Sequence, residues 1–245
     1  MKESAMRTEE RIVNEVAAAL ERETSVNLHR FPLQLGFSDG ILTMEGEVDQ
    51  IMAKKRALEV AAAVPGVAWI VDRVRLAPAS AMEDGEIREH VCTALLADNQ
   101  LASCAIWAMV KGKPEVIRET DQAIGSIDVE VRDGVVVLNG AVTSLSAKRL
   151  AGVLAWWVPG SRDVINGLDV SPSQEDNDDE VVDAVRLALE KDPFVNASQI
   201  RVSCAHYTVT LEGLVRNETE RRMAEADAWY VFRVDRVTNL LRVET

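Results

Sequence analysis

Two pairs of metal-capable residues stand out in the chain, His90 with Cys92 and Cys204 with His206, each pair two positions apart. Four such ligands could complete a tetrahedral zinc centre, but structural zinc sites draw closely spaced ligand pairs from turns. Helical periodicity around Cys92 and alternation around Cys204 make both thiols packing residues instead, so no metal site is assigned. Cys104 completes an odd set without paired spacing, which fits a reducing compartment better than a disulfide framework. The chain contains no glycine-rich phosphate loop, no nucleophile elbow and no His-Glu pair at helical zinc spacing. It is therefore expected not to be an enzyme, with no catalytic residues and no cofactor.

The remaining candidates are residues for binding. Trp107, Met109 and Lys111, followed by Lys113, combine apolar bulk with cations. That composition suits a loop dipping into lipid headgroups or a lid over a core or seam. Lys54-Lys55-Arg56 and Arg149 could supply further cations to headgroups. Gly46, Gly140 and Gly213 each leave an apolar strand, where a glycine makes either a ligand-contacting notch or a bulge and tight helix entry. Trp156 and Trp229 stand at equal distances beyond Gly140 and Gly213, placed to bury against a sheet or neighbouring domain or to sit at a membrane interface.

Repetition organises the elements that must position these residues. Ile12, Val16 and Leu20 recur one helical turn apart over residues 9–22, predicting an amphipathic helix. Leu33, Leu35 and Phe37 alternate into Asp39-Gly40, and Ile41 to Met44 return, predicting a hairpin on an Asp-Gly turn. Asp49 reads as the N-cap of a second helix that Pro65-Gly66 stops, and Val67 to Leu76 reads as a third strand whose alternation breaks near Asp72. The pattern restarts with Ile87, Val91 and Leu95, passes through Asp133-Gly134 and a helix entered by Ser144, and stops at Pro159-Gly160. The separation from Gly46 to Gly66 equals that from Gly140 to Gly160. A third round carries Val181, Val185 and Leu189, then Ile200, Val202 and Cys204, an Asn217–Glu220 capping pair, and Val234 to Val243. His206-Tyr207 and Phe232-Arg233 replace its turn and stop signals.

The expected fold class is α+β, in three tandem α-β-β-α-β units, each with two helices packed on a small three-stranded mixed sheet. The expected domains are residues 1–78, 82–172 with an insertion at about 102–121, and 177–245.

This order, with Asp39-Gly40, Gly46 and Pro65-Gly66 in the first unit and Asp133-Gly134, Gly140 and Pro159-Gly160 in the second, resembles the BON family, named for bacterial OsmY and nodulation proteins. The resemblance implies a non-enzymatic module linked to phospholipid or envelope association, osmotic stress protection or attachment to other domains. Proteins of the family are commonly exported, whereas the first ten residues here show no apolar signal-peptide core.

Charge narrows the partners. With 27 Lys and Arg against 40 Asp and Glu the net charge is −13, and no unit is basic. Nucleic acid is thereby excluded, since phosphate binding needs a basic stripe, and the Gly-x-x-Gly clamp of an RNA-binding KH module is missing as well. The expectation is a non-catalytic binding or scaffolding protein of the cytoplasm that engages a protein partner or a phospholipid surface, with homo-oligomer formation left open. A periplasmic protein whose leader has been removed is the alternative, and a small-ligand sensor module is a further one.

Overall fold

The structure, a computed structural model, describes residues 2–119 and 121–244, with side chains from Thr8 onward. The first helix, α1 (Lys2–Arg22), begins earlier than its apolar stripe requires. Ile12, Val16 and Leu20 are buried, as a stripe repeating near the helical period must be when it meets a sheet. An antiparallel hairpin of β1 (Leu33–Ser38) and β2 (Ile41–Val48) follows, then α2 (Ile51–Ala62) and β3 (Trp69–Leu76), which lies parallel to β2. The sheet order is β1-β2-β3. Leu42, Met44, Ala57 and Val74 fill the space between this sheet and its helices.

The second round opens with α3 (Asp84–Ala97) and then departs from the first. Where an insertion was expected to form a loop, the chain forms a second hairpin, β4 (Cys104–Val110) and β5 (Lys113–Arg118), turning at Lys111-Gly112 with positive φ at both residues. Alternation in Cys104, Ile106 and Ala108 is the cause: all three are buried in the same cluster as α3. β4 pairs in parallel with β6 (Gly125–Arg132), which turns into β7 (Val135–Val142). After α4 (Leu145–Trp156), the returning strand is split into β8 (Asp163–Asn166) and β9 (Asp169–Val170), both parallel to β7. This sheet has six strands, in the order β5-β4-β6-β7-β8 with β9 also on β7.

The third round is α5 (Asp178–Lys191), β10 (Ile200–Ala205), β11 (Thr208–Val215), α6 (Glu218–Tyr230) and β12 (Arg236–Val243), with sheet order β10-β11-β12. The fold is thus α+β in three α-β-β-α-β units, the second enlarged by its extra hairpin. The first repeat, through Ala77, is one compact body, and the second and third repeats together form another, from Pro78 onward.

Three local features explain the signals in the sequence. The break in alternation at Asp72 recurs in every repeat. Asp72, Asn166 and Asn239 each accept a hydrogen bond from the amide two residues on, at 2.9, 3.3 and 3.1 Å. Each also reaches the second helix, Asp72 through Lys54 Nζ at 3.0 Å, Asn166 and Asn239 by donating to the Lys148 and Arg221 carbonyls at 2.6 and 3.2 Å. A short polar side chain suits the position because it satisfies a strand amide and also ties to the helix, to its backbone from Asn166 and Asn239 and to a lysine side chain from Asp72.

The turn His206-Tyr207 keeps the geometry of Asp39-Gly40 and Asp133-Gly134 without any glycine, with φ of 50° and 58°. Its compensation is Asp178, the first residue of α5, whose carboxylate accepts from both turn amides at 2.8 Å. Asp84 at the start of α3 does the same for Asp133 and Gly134 at 2.9 and 2.8 Å. Helix entry follows the expected residues in two of three cases. Ser144 and Asn217 cap α4 and α6 by accepting from Ala147 and Glu220, but α2 is capped at Gln50 with no side-chain bond, so Asp49 is not its cap.

Candidate functional site

Gly46, Gly140 and Gly213 occupy one equivalent position, at φ of 143°, 116° and 145°. A Cβ there would meet backbone of the preceding strand or its approach: the Pro32 carbonyl oxygen at 2.8 Å for Gly46, and the Ser126 and Gln199 carbonyl oxygens in outright collision for the other two. The space beside each glycine is therefore filled by the chain's own hairpin, and the residue type is dictated by strand contact and positive φ together.

Trp107, Met109 and Lys111 lie on the added hairpin. Trp107 and Met109 alternate with the core residues Ile106 and Ala108 and are half-buried on the opposite side of the sheet, while Lys111 and Lys113 are exposed at the turn. Val116 is paired directly across from Trp107 and is 53% exposed. Farther along the same face lie Val137 and its strand neighbour Ile165, the latter 50% exposed.

The first repeat carries a similar patch that sequence reading missed. Trp69, 75% exposed, pairs with Ile41, and Val71 pairs with Thr43. At the matching positions the third repeat has Thr208 beside Arg236 and Thr210 beside Thr238. The third repeat's helix-free face carries its apolar residues elsewhere, at Leu214 and Leu240, 46% and 53% exposed, so the three faces differ in where their apolar residues stand. The signal was present in the alternation of Ile41, Trp69 and Val71, but a strand with apolar residues on both faces does not declare which face the helices cover.

Trp156 and Trp229 map to the seam between the second and third repeats and to the third core, respectively. Trp156 stacks on Tyr230, with ring centroids 5.7 Å apart and planes 22° apart. Trp229 is buried. Their neighbour Trp157, not singled out by sequence, reaches into the third repeat and donates from Nε1 to Asp227 Oδ1 at 2.9 Å.

Arg149 is the other tie across this seam. Its side chain is buried on α4, donating from Nε to the Phe232 carbonyl at 3.1 Å and from Nη2 to Asp176 at 2.5 Å. Phe232 also lies under the Lys148 ammonium, and Arg233 stacks over Tyr207 at 4.3 Å from the ring centre. That stack fills the corner where the first repeat has Gly40 and Gly66.

These contacts remove Lys54, Arg56 and Arg149 from the cations that could meet headgroups. Lys54 is buried against Asp72, and Arg56 is held by Glu23 and Glu59. A cation neutralised inside the fold has no free charge to offer a lipid phosphate.

The histidines and cysteines do not converge. Among the described residues, no group of three or more His, Cys, Asp and Glu could hold a metal ion. Cys92 and Cys104 are buried free thiols, and burial pushes Cys92 up to about 11. Burial and then the Asp178 carboxylate, which accepts from its Sγ, push Cys204 up to about 12. Asp178 itself is held below the usual carboxylate range by the Tyr207 and His206 amides. Protonated thiols of this kind are poor nucleophiles. Among the described residues no helix is long and apolar enough to cross a membrane.

Comparison with known proteins agrees with this architecture. The BON domain profile matches residues 8–78, 113–172 and 177–245. Its second match begins at β5 and omits α3, although Ile87, Val91 and Leu95 share one buried cluster with β6 and β7. No curated protein matches the chain significantly. Among solved structures the chain is similar to the C-terminal domain of CdsD, the structural protein of the type III secretion system of Chlamydia trachomatis. Identity is 13%, over 96% of this chain and 98% of that one, with a TM-score of 0.25. A second CdsD structure from the same organism matches at 14% identity over 95% and 92% of the two chains, with the same TM-score of 0.25. BON domains are generally non-enzymatic. Matched in three successive regions that span most of its length, each built around the same hairpin and crossover helix, the chain belongs to the BON domain family.

Proposed function

We propose that this protein is a non-enzymatic scaffold that binds another protein on the helix-free sheet faces of its first and second repeats. The observation that carries this reading is the pairing of exposed apolar residues in register on those faces, above all Trp69 beside Ile41 and Val116 beside Trp107. Scattered exposed aliphatic residues need no explanation, but contiguous ones on an uncovered sheet mark an interface. No tryptophan stands on the third repeat's equivalent face, where the matching pairs are Thr208 beside Arg236 and Thr210 beside Thr238.

A phospholipid surface is the second reading, favoured by Trp107, Met109, Lys111 and Lys113 at one hairpin. It is the weaker one, because Lys54, Arg56 and Arg149 are committed to internal partners.

The test captures partners from native lysate with the tagged full chain and, in parallel, sediments the chain with phosphatidylglycerol vesicles. Wild type is expected to retain a protein that Trp69→Ser/Val116→Ser loses, with no vesicle binding. Capture unchanged by those substitutions overturns the reading. Sedimentation that weakens in salt and on Lys111→Glu/Lys113→Glu would move the assignment to lipid.

A further inference from the structure

The first sheet ends at β1, a strand with no partner on its outer side and nothing that guards it. Edge strands of soluble proteins normally carry charged residues, proline or an interruption that discourages pairing with another chain. Among the described residues the other edges do so: β3 has Asp72 and Arg73, β5 has Pro114, β10 has Arg201 and β12 has Arg242, while the β8–β9 edge is broken in two. β1 reads Leu33-Gln34-Leu35-Gly36-Phe37-Ser38, without a charge, a proline or a break in its register.

The second repeat shows what such an edge accepts. Ile127, Val129 and Val131 are the counterparts of Leu33, Leu35 and Phe37, because Ile127 pairs with Gly140 as Leu33 pairs with Gly46. There β4 lies alongside, and all three residues are buried. In the first repeat the same side chains point toward the helices yet remain partly exposed. The two-residue turn at Asp39-Gly40 closes on the Ser38–Ile41 pair. By antiparallel alternation Gln34 and Gly36 then bond to β2, and the amides and carbonyls of Leu33, Leu35 and Phe37 point outward.

We infer that two copies of this chain pair antiparallel along β1, joining their first sheets into one. A twofold axis through Leu35 sets Leu33 against Phe37 of the other copy and Leu35 against its own counterpart. In that register each outward amide meets a carbonyl, and the three apolar side chains of both strands stay on the helix side. Charge favours this direction. The exposed Arg30 ahead of each strand comes to the turn that holds the exposed Asp39 of the other, whereas a parallel pairing would set each charge beside its own kind. The helix-free faces of the two first repeats then lie on one side of a continuous sheet. The pairing extends the surface proposed above for partner binding and does not depend on it.

Sedimentation of the full chain over a range of concentrations tests the pairing. The mass of wild type is expected to rise from that of one chain toward that of two, and Leu35→Lys, which opposes two ammonium groups on the axis, to remain a single chain. Wild type that stays single at every concentration overturns the inference and leaves the edge to a strand of another protein. A dimer that Leu35→Lys leaves intact overturns it as well. Cysteine cross-linking keeps the inference testable if that variant does not fold. Gln34 and Gly36 lie on the helix-free face, and a Cβ on Gly36 meets nothing within 4 Å. The register places Gln34 of one copy opposite Gly36 of the other in a non-hydrogen-bonded pair, a spacing that a disulfide spans. Mild oxidation is expected to cross-link Gln34→Cys mixed with Gly36→Cys, and to leave wild type and each variant alone unlinked. A mixture that does not link, or variants that link equally well alone, overturns the pairing.

Discussion

At the scale of single residues, position and not composition decides what a glycine or a cation does. Gly40 and Gly46 both have positive φ, yet a Cβ on Gly40 makes only ordinary contacts, with Ala68 Cβ at 3.5 Å and the Gly66 carbonyl oxygen at 4.0 Å, whereas one on Gly46 meets the Pro32 carbonyl oxygen at 2.8 Å. Gly40→Ala should cost about 1 kcal/mol, the ordinary price of left-handed backbone for an L-residue. Gly46→Val should cost roughly 3 kcal/mol or more, because strain adds to displacement of the strand. Denaturant melts of the first repeat check the ranking, and equal losses would mean that the turn matters as much as the strand contact. The cations tell the same lesson. Arg149 reads as surface charge in the sequence, and only the arrival of Asp176 and the Phe232 carbonyl turns it into a buried tie.

At the scale of elements, the added hairpin is the piece that the repeat pattern obscured. Its alternation was visible in Ala105-Ile106-Trp107-Ala108-Met109, but with no counterpart in the other repeats it had no register to inherit. The structure makes it part of the second core. Ile106→Ala is therefore expected to cost about 2–5 kcal/mol, the usual range for emptying a buried aliphatic site. Val116→Ser on the exposed edge should change stability by no more than about 0.5 kcal/mol. Chemical denaturation distinguishes the two, and a large loss from Val116→Ser would mean that its face is covered. Pro114 near the start of β5 withholds a backbone donor from that edge, one of the ways sheets resist unwanted strand pairing.

At the scale of the whole molecule, the three repeats are not three independent domains. Small α+β units bury too little surface to be robust alone, and the second and third resolve this by sharing one body through α4, α5 and α6. The first repeat is compact by itself. A fragment ending at Ala77 should melt cooperatively on its own, with the transition it shows in the full chain. A fragment of the second repeat ending at Pro172 should melt at least several degrees below the joint body, because Arg149 and Trp157 lose their acceptors. Calorimetry of the two fragments and the full chain checks both expectations, and an unshifted second repeat would show that the seam contributes little.

The sequence by itself determined the threefold order, the helix stripes, the Asp-Gly turns and the register of the glycines. Each is a local rule of period or backbone conformation written in neighbouring residues. Even the weathered third copy was legible through Gly213 and its apolar pattern. Its turn survives at His206-Tyr207 because Asp178 holds both amides, a contact between residues far apart in the chain. Only the tertiary structure decided which sheet face stays open and which cations are spent inside. Those outcomes depend on what a residue finds beside it after the chain has folded, and a side chain of fixed type becomes a surface charge or a core tie according to that neighbour.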